Sequence, residues 1–365
     1  MLIRLDWNGR ISAVTNGSGF VVEYMHDIMD RVTNISWRTT SGATLGGFEY
    51  EYDAAGRRVA CGKSGSAFAQ DDTLSYGYNE KSELTNAVAA VDADYRYSYA
   101  FDDIGNRETS SERGANTCYS ANALNQYTSI SNLCDSASLR EEFIPQFDYD
   151  GNQTLIKTAT GIWQVQYNGE NRPVLWTLVN SSIPNSSSPP LISMSYDRMG
   201  RRVTKNDQRF VYDGYLQVAN FEHSTSNIEL QTFIWDPTEP VATRPLVWVR
   251  NDSTSYYVHD GNKNVSEVMS EDSDVLAHYE YAPFGAIVSP FGASASDNPW
   301  RFSSEYTGDD TATIYYNYRH YEPIAGRWLS RDLYEESDNN LYAFVSKGPT
   351  AYVISKETTT AGVSK

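Results

Sequence analysis

Cysteine is scarce in this chain: 365 residues contain three, Cys61, Cys118 and Cys134. That is too few for a disulfide framework. Cys118 and Cys134 bracket a Ser/Asn-rich stretch and are the pair that export would allow to join, but ordinary buried thiols are the favoured reading. Histidine is equally sparse. His26, His223, His259, His278 and His320 are scattered, and no Cys/His spacing suggests zinc, so no cofactor or metal is expected. Positive charge is short too, with 29 Lys and Arg against 47 Asp and Glu and a net charge of −18. Nucleic-acid binding needs phosphates neutralised by clustered cations, and no such cluster stands out. No apolar run approaches the roughly 18–20 residues of a membrane helix. The opening MLIRLDWNGR lacks the apolar core of a secretory signal. The chain is therefore expected to be secreted or surface-borne by another route, or to be a fragment of a longer protein and then cytoplasmic.

What the chain has in quantity is aromatic and turn-forming residues: 27 Tyr, 24 Gly and 13% aromatic content. YDAAGRRV at Tyr52–Val59 returns as YDRMGRRV at Tyr196–Val203. The same frame is read at Leu5–Arg10, His26–Arg31, Tyr78–Glu83, Phe101–Asn106, Ala121–Gln126, Tyr149–Gln153, Tyr167–Arg172 and Tyr212–Gln217. The mean step is roughly 23 residues, variable enough to tolerate loop insertions. Flanks such as GFEYEYD (Gly47–Asp53) and YRYSYAFD (Tyr95–Asp102) alternate aromatic with polar residues, the pattern of a strand with one buried face. The Asp-x-x-Gly that follows is turn chemistry: Asp accepts from turn amides and Gly takes a positive φ cheaply. Each unit reads as strand, turn, strand.

Lone hairpins are marginal in water, so successive units must stack into a continuous sheet. Tyr52, Tyr149 and Tyr196 should then hold equivalent places on one face. Asp53, Asp150 and Asp197 should cap turns whose positive-φ positions are Gly56 and Gly200. Arg57 and Arg201 should lie over a neighbouring ring or meet the Asp of the adjacent unit. These are structural roles, because so many spaced copies cannot all be active sites. VNSSIPNSSSPP (Val179–Pro190) reads as a polar loop between units. DYDGN (Asp148–Asn152) and DGNKN (Asp260–Asn264) have close-set oxygens of the kind calcium loops use, yet neither has the acidic twelfth residue of an EF-hand, and both fit hairpin turns.

The units resemble the tyrosine-aspartate (YD) repeats of the Rhs family, and the chain beyond Phe221 resembles the Rhs-associated core. The matching stretches are Tyr256–Val288, Asn298–Asp332 and Asn340–Pro349. The resemblance implies an all-β fold, a spiral of antiparallel β-hairpins forming an open or partial shell that the core closes. It implies a domain order of 1–220 repeats, 221–349 core and 350–365 polar tail. In the family a shell often surrounds a toxic C-terminal domain released by an aspartate self-cleavage site. Arg319 and Asp332 match an Arg and the first Asp of that site. The second Asp is missing, since Ile354 or Ser355 stands there, and Leu333 replaces the usual Pro. Two carboxylates sharing a proton activate water, and a lone one does not.

The expected function is a non-catalytic shell or contact module of an Rhs-type protein, without a toxin in the sixteen residues after Pro349. Its expected partners are other parts of a longer assembly, with neighbouring cells or surface glycans as further possibilities. The competing readings are a self-cleaving peptidase core and a carbohydrate-binding module. Exposure of Trp163, Trp176 and Trp248 separates the last from a scaffold.

Overall fold

The computed structural model describes residues 1–17, 19–132, 142–180, 190–223, 228–238, 244–332, 340–344 and 348–350. Among these the regular structure is β, apart from one short 3-10 turn at Phe302–Ser304. Strands follow one another in the sheets in strict chain order, and the pairings are antiparallel. A 13-stranded sheet runs from β1 (Leu2–Leu5), β2 (Ile11–Thr15) and β3 (Val21–His26) to Glu142–Phe143. A 14-stranded sheet runs from Gln146–Phe147 to Ile287–Phe291, and a four-stranded one from Tyr306–Gly308 to Arg327–Trp328. In none does the last strand return to the first, so none closes into a barrel.

The chain folds into two compact units. The first takes Met1–Tyr97, Ile234–Ser304 and the chain from Gly348; the second takes Ser98–Phe233 and Glu305–Lys347. These boundaries do not follow the division at 220. Repeat-type strands and turns continue beyond it, through Ser253–His259 and Val265–Ser270. In the first unit the alternation of GFEYEY buries Phe48 and Tyr50 and exposes Glu49 and Glu51. These rings join Phe20, Ile35, Trp37 and Met269 in one core. In the second unit Trp163, Val165, Trp176, Ile192 and Met194 pack with Leu329 from the later chain.

One turn generates the repeat. Asp53 N–H donates to Arg57 O (2.9 Å) and Gly56 N–H to Asp53 O (3.0 Å). The Asp53 carboxylate accepts the amides of Ala55 (3.0 Å) and Arg57 (2.8 Å). The fourth residue must then be left-handed, and Gly56 has φ 81°. A register shift between Glu51 and Tyr52 marks the bulge the turn imposes on its strand. The same backbone pair of hydrogen bonds recurs from Asp6, Asp27, Asn79, Asp102, Asn122, Asn168, Asp197 and Asp260. Where glycine is absent at the fourth place, Asp30, Ser82, Asn125, Asn171 and Lys263 take φ of 60–63°.

Two units depart from the expected frame. In DYDGN the capping residue is Asp148, which accepts from Asp150 N (3.0 Å) and Asn152 N (2.8 Å). Only from Asp148 does glycine fall at the fourth place, where Gly151 has φ 85°. Asp150 is thus a tip residue and no cap, and Tyr149 is fully exposed where a buried ladder position was expected. At Tyr212 a two-residue loop, Gly214–Tyr215, replaces the five-residue turn, with Asp213 paired to Leu216.

The glycine requirement is testable at two positions that differ in surroundings. A Cβ at Gly56 meets nothing within 4 Å, whereas one at Gly200 (φ +78°) runs into the Arg172 guanidinium. Gly56→Val should cost about 1–3 kcal/mol from backbone strain alone, and Gly200→Val more. Chemical denaturation alongside Ala54→Val and Arg198→Val controls checks this; equal midpoints for Gly56→Val and Ala54→Val would refute the turn assignment.

Candidate functional site

The side chains of the repeat lock each turn internally and to the next. Within a turn, Arg57 Nε meets Asp53 Oδ2 at 2.7 Å and Arg201 Nε meets Asp197 Oδ2 at 2.8 Å. The arginine therefore pairs with the Asp of its own unit. Burial pushes the Asp53 carboxyl up, but the Arg57 amide and guanidinium outweigh it and leave it below its ordinary value. Asp197 is lowered in the same way, with Arg201 and the Met199 amide overcoming burial.

Between turns the arginine reaches forward and the tyrosine reaches back. Arg57 Nη1 donates to Asn79 O (3.2 Å) while its guanidinium lies 5.0 Å from the Tyr78 ring centre. Tyr78 O–H in turn donates to Arg58 O (2.7 Å). The same reach-back joins Tyr52 to Val32 O (2.6 Å), Tyr167 to Gln153 O (2.9 Å), Tyr196 to Pro173 O (2.8 Å) and Tyr212 to Arg202 O (2.8 Å). Arg31 lies over Tyr52 at 4.5 Å and Arg201 over Tyr212 at 5.2 Å. Where Asn replaces Arg, as at Asn106 and Asn152, its amide bridges its own Asp and the Asn of the next turn (2.8–2.9 Å).

In the second unit the segment after Glu305 attaches to these turns. Arg331 Nε donates to Asp150 O (2.8 Å) and Tyr342 O–H to Gly151 O (2.7 Å). Arg327 donates to Asn125 O and lies 3.9 Å over Tyr127. Asn340 Nδ2 meets Asn106 Oδ1 at 2.9 Å. Arg319 and Asp332 come together here, Nη2 to Oδ2 at 2.8 Å, with the guanidinium 4.0 Å from the Trp328 ring centre. The position expected for a second aspartate, at Ile354 or Ser355, lies outside the described residues, as does Cys134. Asp332→Asn leaves Arg319 without its partner and should lower stability by about 1–2 kcal/mol, read as a loss in thermal midpoint.

Sequence reasoning missed Glu322, a buried carboxyl in the same segment. It accepts the amides of Ile324 (3.1 Å) and Ala325. Burial raises it from 4.5 to about 7, the two amides and Arg107 opposing and Glu112 assisting. A folded value above the unfolded one means the fold holds a proton that the unfolded chain releases. The stability contributed by Glu322 is therefore full below pH 4.5, falls as pH rises toward 7 and is lost above it, by about 3 kcal/mol in all. Urea titrations between pH 5 and 8 should show this slope in the parent and a flatter one in Glu322→Gln.

The first unit holds a buried charge chain instead. His278 Nδ1 faces Glu267 Oε1 at 2.9 Å, and Glu280 links His278 to Lys63. Burial pulls the imidazole down, but the bonds to Glu267 and Glu280 prevail and hold it at about 9. Lys63, Glu280, Arg58, Asp260 and Ser266 border a cavity of about 80 Å³. The Asp260 oxygens accept from Asn262 N (2.8 Å), Asn264 N (2.9 Å) and Asn264 Nδ2 (2.8 Å), so the DGNKN stretch is a turn of the repeat. Among the described residues no group of three or more His, Cys, Asp or Glu is placed to hold a metal ion. Trp163, Trp176 and Trp248 are all buried, at 3%, 0% and 2% exposure, and offer no free ring face to a sugar. No helix among the described residues is long and apolar enough to cross a membrane.

Comparison with known proteins gives a match to the teneurin YD-shell family over residues 67–351. The tRNA3(Ser)-specific nuclease WapA of Bacillus spizizenii is 24% identical over 274 residues, 70% of this chain and 10% of that protein. The double-stranded DNA deaminase toxin A of Burkholderia cenocepacia is 22% identical over 320 residues, 78% of this chain and 20% of that protein. The toxin subunit YenC1 of Yersinia entomophaga is 26% identical over 292 residues, 70% of this chain and 28% of that protein. Among solved structures, the Tc holotoxin pore of Photorhabdus luminescens superposes with a TM-score of 0.72 at 17% identity, over 100% of this chain and 19% of that one. The TcdB2–TccC3 crystal structure gives 0.70 at 18% identity, over 96% and 19%. The chain thus spans less than a third of each of these relatives.

Proposed function

Because the chain belongs to the teneurin YD-shell family, we propose that it serves as a non-catalytic wall or contact module of a larger Rhs-type assembly, secreted or surface-borne. The observation that carries this reading is the use made of the repeat's reactive side chains. Asp53 and Asp197 are spent on turn amides and on their own arginines. Arg57 is further spent on the next turn's carbonyl, and the tyrosine hydroxyls on carbonyls behind them. Side chains engaged in this way build a wall. The nuclease and deaminase activities in the relatives' names belong to those proteins, of which this chain matches 10–20%. With a net charge of −18 the chain is also a poor nucleic-acid ligand. Its partners are then other portions of the assembly it walls.

The Arg319–Asp332 pair fits a structural role in this reading. It joins the strand His320–Glu322 to the chain that follows Trp328, with Arg319 sheltered against that ring. Self-cleavage needs a second aspartate, and Ser355 or Ile354 occupies its place in the sequence. The expected outcome is an unchanged intact mass after prolonged incubation at mildly acidic and neutral pH, in the parent and in Asp332→Asn alike. A fragment ending near Ser355 in the parent, absent from the variant, would replace the wall reading with the peptidase one.

A further inference from the structure

Arg58 borders the cavity of about 80 Å³ in the first unit and has more donors than the protein gives it acceptors. The residue is 7% exposed. Its Nη1 donates to Asn262 Oδ1 (3.0 Å), a neutral acceptor, and its guanidinium lies 4.1 Å from the Tyr50 ring centre. Its Nε is buried and meets no acceptor among the described residues. Two hydroxyls on the same cavity resemble it. Tyr50 Oη accepts the Gly261 amide (2.7 Å), while its own hydrogen has no acceptor among the described residues. The Tyr76 hydroxyl, near Arg58 and Tyr50, has no hydrogen-bond partner among them.

The other charges around the cavity are matched. Lys63 meets Glu280, which also faces His278 (3.5 Å), and Asp260 accepts three N–H donors of its own turn. Arg58 is the cation here whose bonded acceptor is not a carboxylate. Phe48, Phe68, Leu74 and Phe302 make much of the remaining wall apolar.

We propose that this cavity binds a small organic anion, a monocarboxylate with a short apolar tail. With Nη1 held by Asn262, the Nε–Nη2 edge of Arg58 is the side left to a ligand. That edge matches the two oxygens of a planar carboxylate, which a point cation does not. The Tyr50 and Tyr76 hydroxyls add donors, and the rings take the tail. Asp260 and Glu280 on the same border select one negative charge over the two of a phosphate, since like charges repel strongly away from water. Size sets the tail. One water needs roughly 10–15 Å³ of such space, so about 80 Å³ suits a ligand of roughly five to eight heavy atoms.

Such a site neither requires nor excludes the wall role. The probe is butyrate, titrated into the full chain and followed by calorimetry and by its methyl proton resonance. The expected result is saturable binding with a dissociation constant at or below about 1 mM. It should be at least tenfold tighter than that of butyramide, which keeps the shape and lacks the charge. Tyr50→Phe and Tyr76→Phe keep both rings and should each weaken butyrate at least threefold. Arg58→Lys, its thermal midpoint verified first, should weaken butyrate at least tenfold although the charge is kept. No saturation at tens of millimolar butyrate overturns the proposal, as do equal affinity for butyramide and binding indifferent to all three substitutions. Tighter binding of N-acetylglutamate N-methylamide than of butyrate also overturns it, assigning the site to a carboxylate borne by a protein.

Discussion

Everything in this wall depends on one five-residue turn held by an Asp or Asn side-chain oxygen that accepts two backbone amides. The Asp53 cap fixes where the strand ends, forces a left-handed fourth residue at Gly56, and imposes the bulge before Tyr52. Tyr52 stays on the face of Phe48 and Tyr50, packed against their core, and its hydroxyl donates to a carbonyl one turn back, at Val32. A net hydrogen bond is worth about 1 kcal/mol, so no one rung holds the structure. Repetition does, each rung stabilising its two neighbours as in other linear arrays.

The alternation of Arg and Asn after the turn glycine shows two ways to meet one geometric demand. The fifth side chain must satisfy the second oxygen of its own Asp and span to the next turn. Arg57 does so with a fork, one nitrogen on Asp53 and another on Asn79 O, and adds ring contact with Tyr78. Asn152 is shorter and uses one amide group for both Asp148 and Asn171. In the second unit the turns at Asn122 and Asp148 leave carbonyls at Asn125, Asp150 and Gly151 that face outward from the rungs. The segment after Glu305 is held there by Arg327, Arg331 and Tyr342. The same turns thus propagate the sheet and seat the segment that follows it.

Much of this was legible in the sequence, because the turn is a local object. Asp-x-x-Gly spacing finds the cap at Asp53 and Asp197 without any tertiary knowledge, and GFEYEY declares its buried face by period two. The frame failed at DYDGN because two aspartates compete there and the reading followed Tyr149; the position of Gly151 three residues after Asp148 decides the matter. What could not be read was whatever depends on a distant segment. The raised carboxyl of Glu322 comes from burial against residues more than 200 positions away, such as Arg107 and Glu112. Nor does local pattern reveal that the compact units recombine early and late chain, Met1–Tyr97 with Ile234–Ser304, across the division expected near 220.

The treatment of buried cations follows the difference between Arg and Lys. Arg202 is almost fully buried and lies 4.3–4.6 Å from the ring centres of Phe210, Tyr306 and Tyr315. Arg58 lies 4.1 Å over Tyr50, and Arg327 between Tyr127 and Tyr342. A guanidinium is planar and weakly hydrated, so ring faces offset much of its desolvation. An ammonium is compact and strongly hydrated, and rings alone do not suffice. Among the described residues the two buried lysines meet carboxylates accordingly, Lys63 with Glu280 and Lys205 with Asp310. A chain rich in tyrosine can therefore bury arginines such as Arg202, Arg58 and Arg327 against ring faces along the ladder.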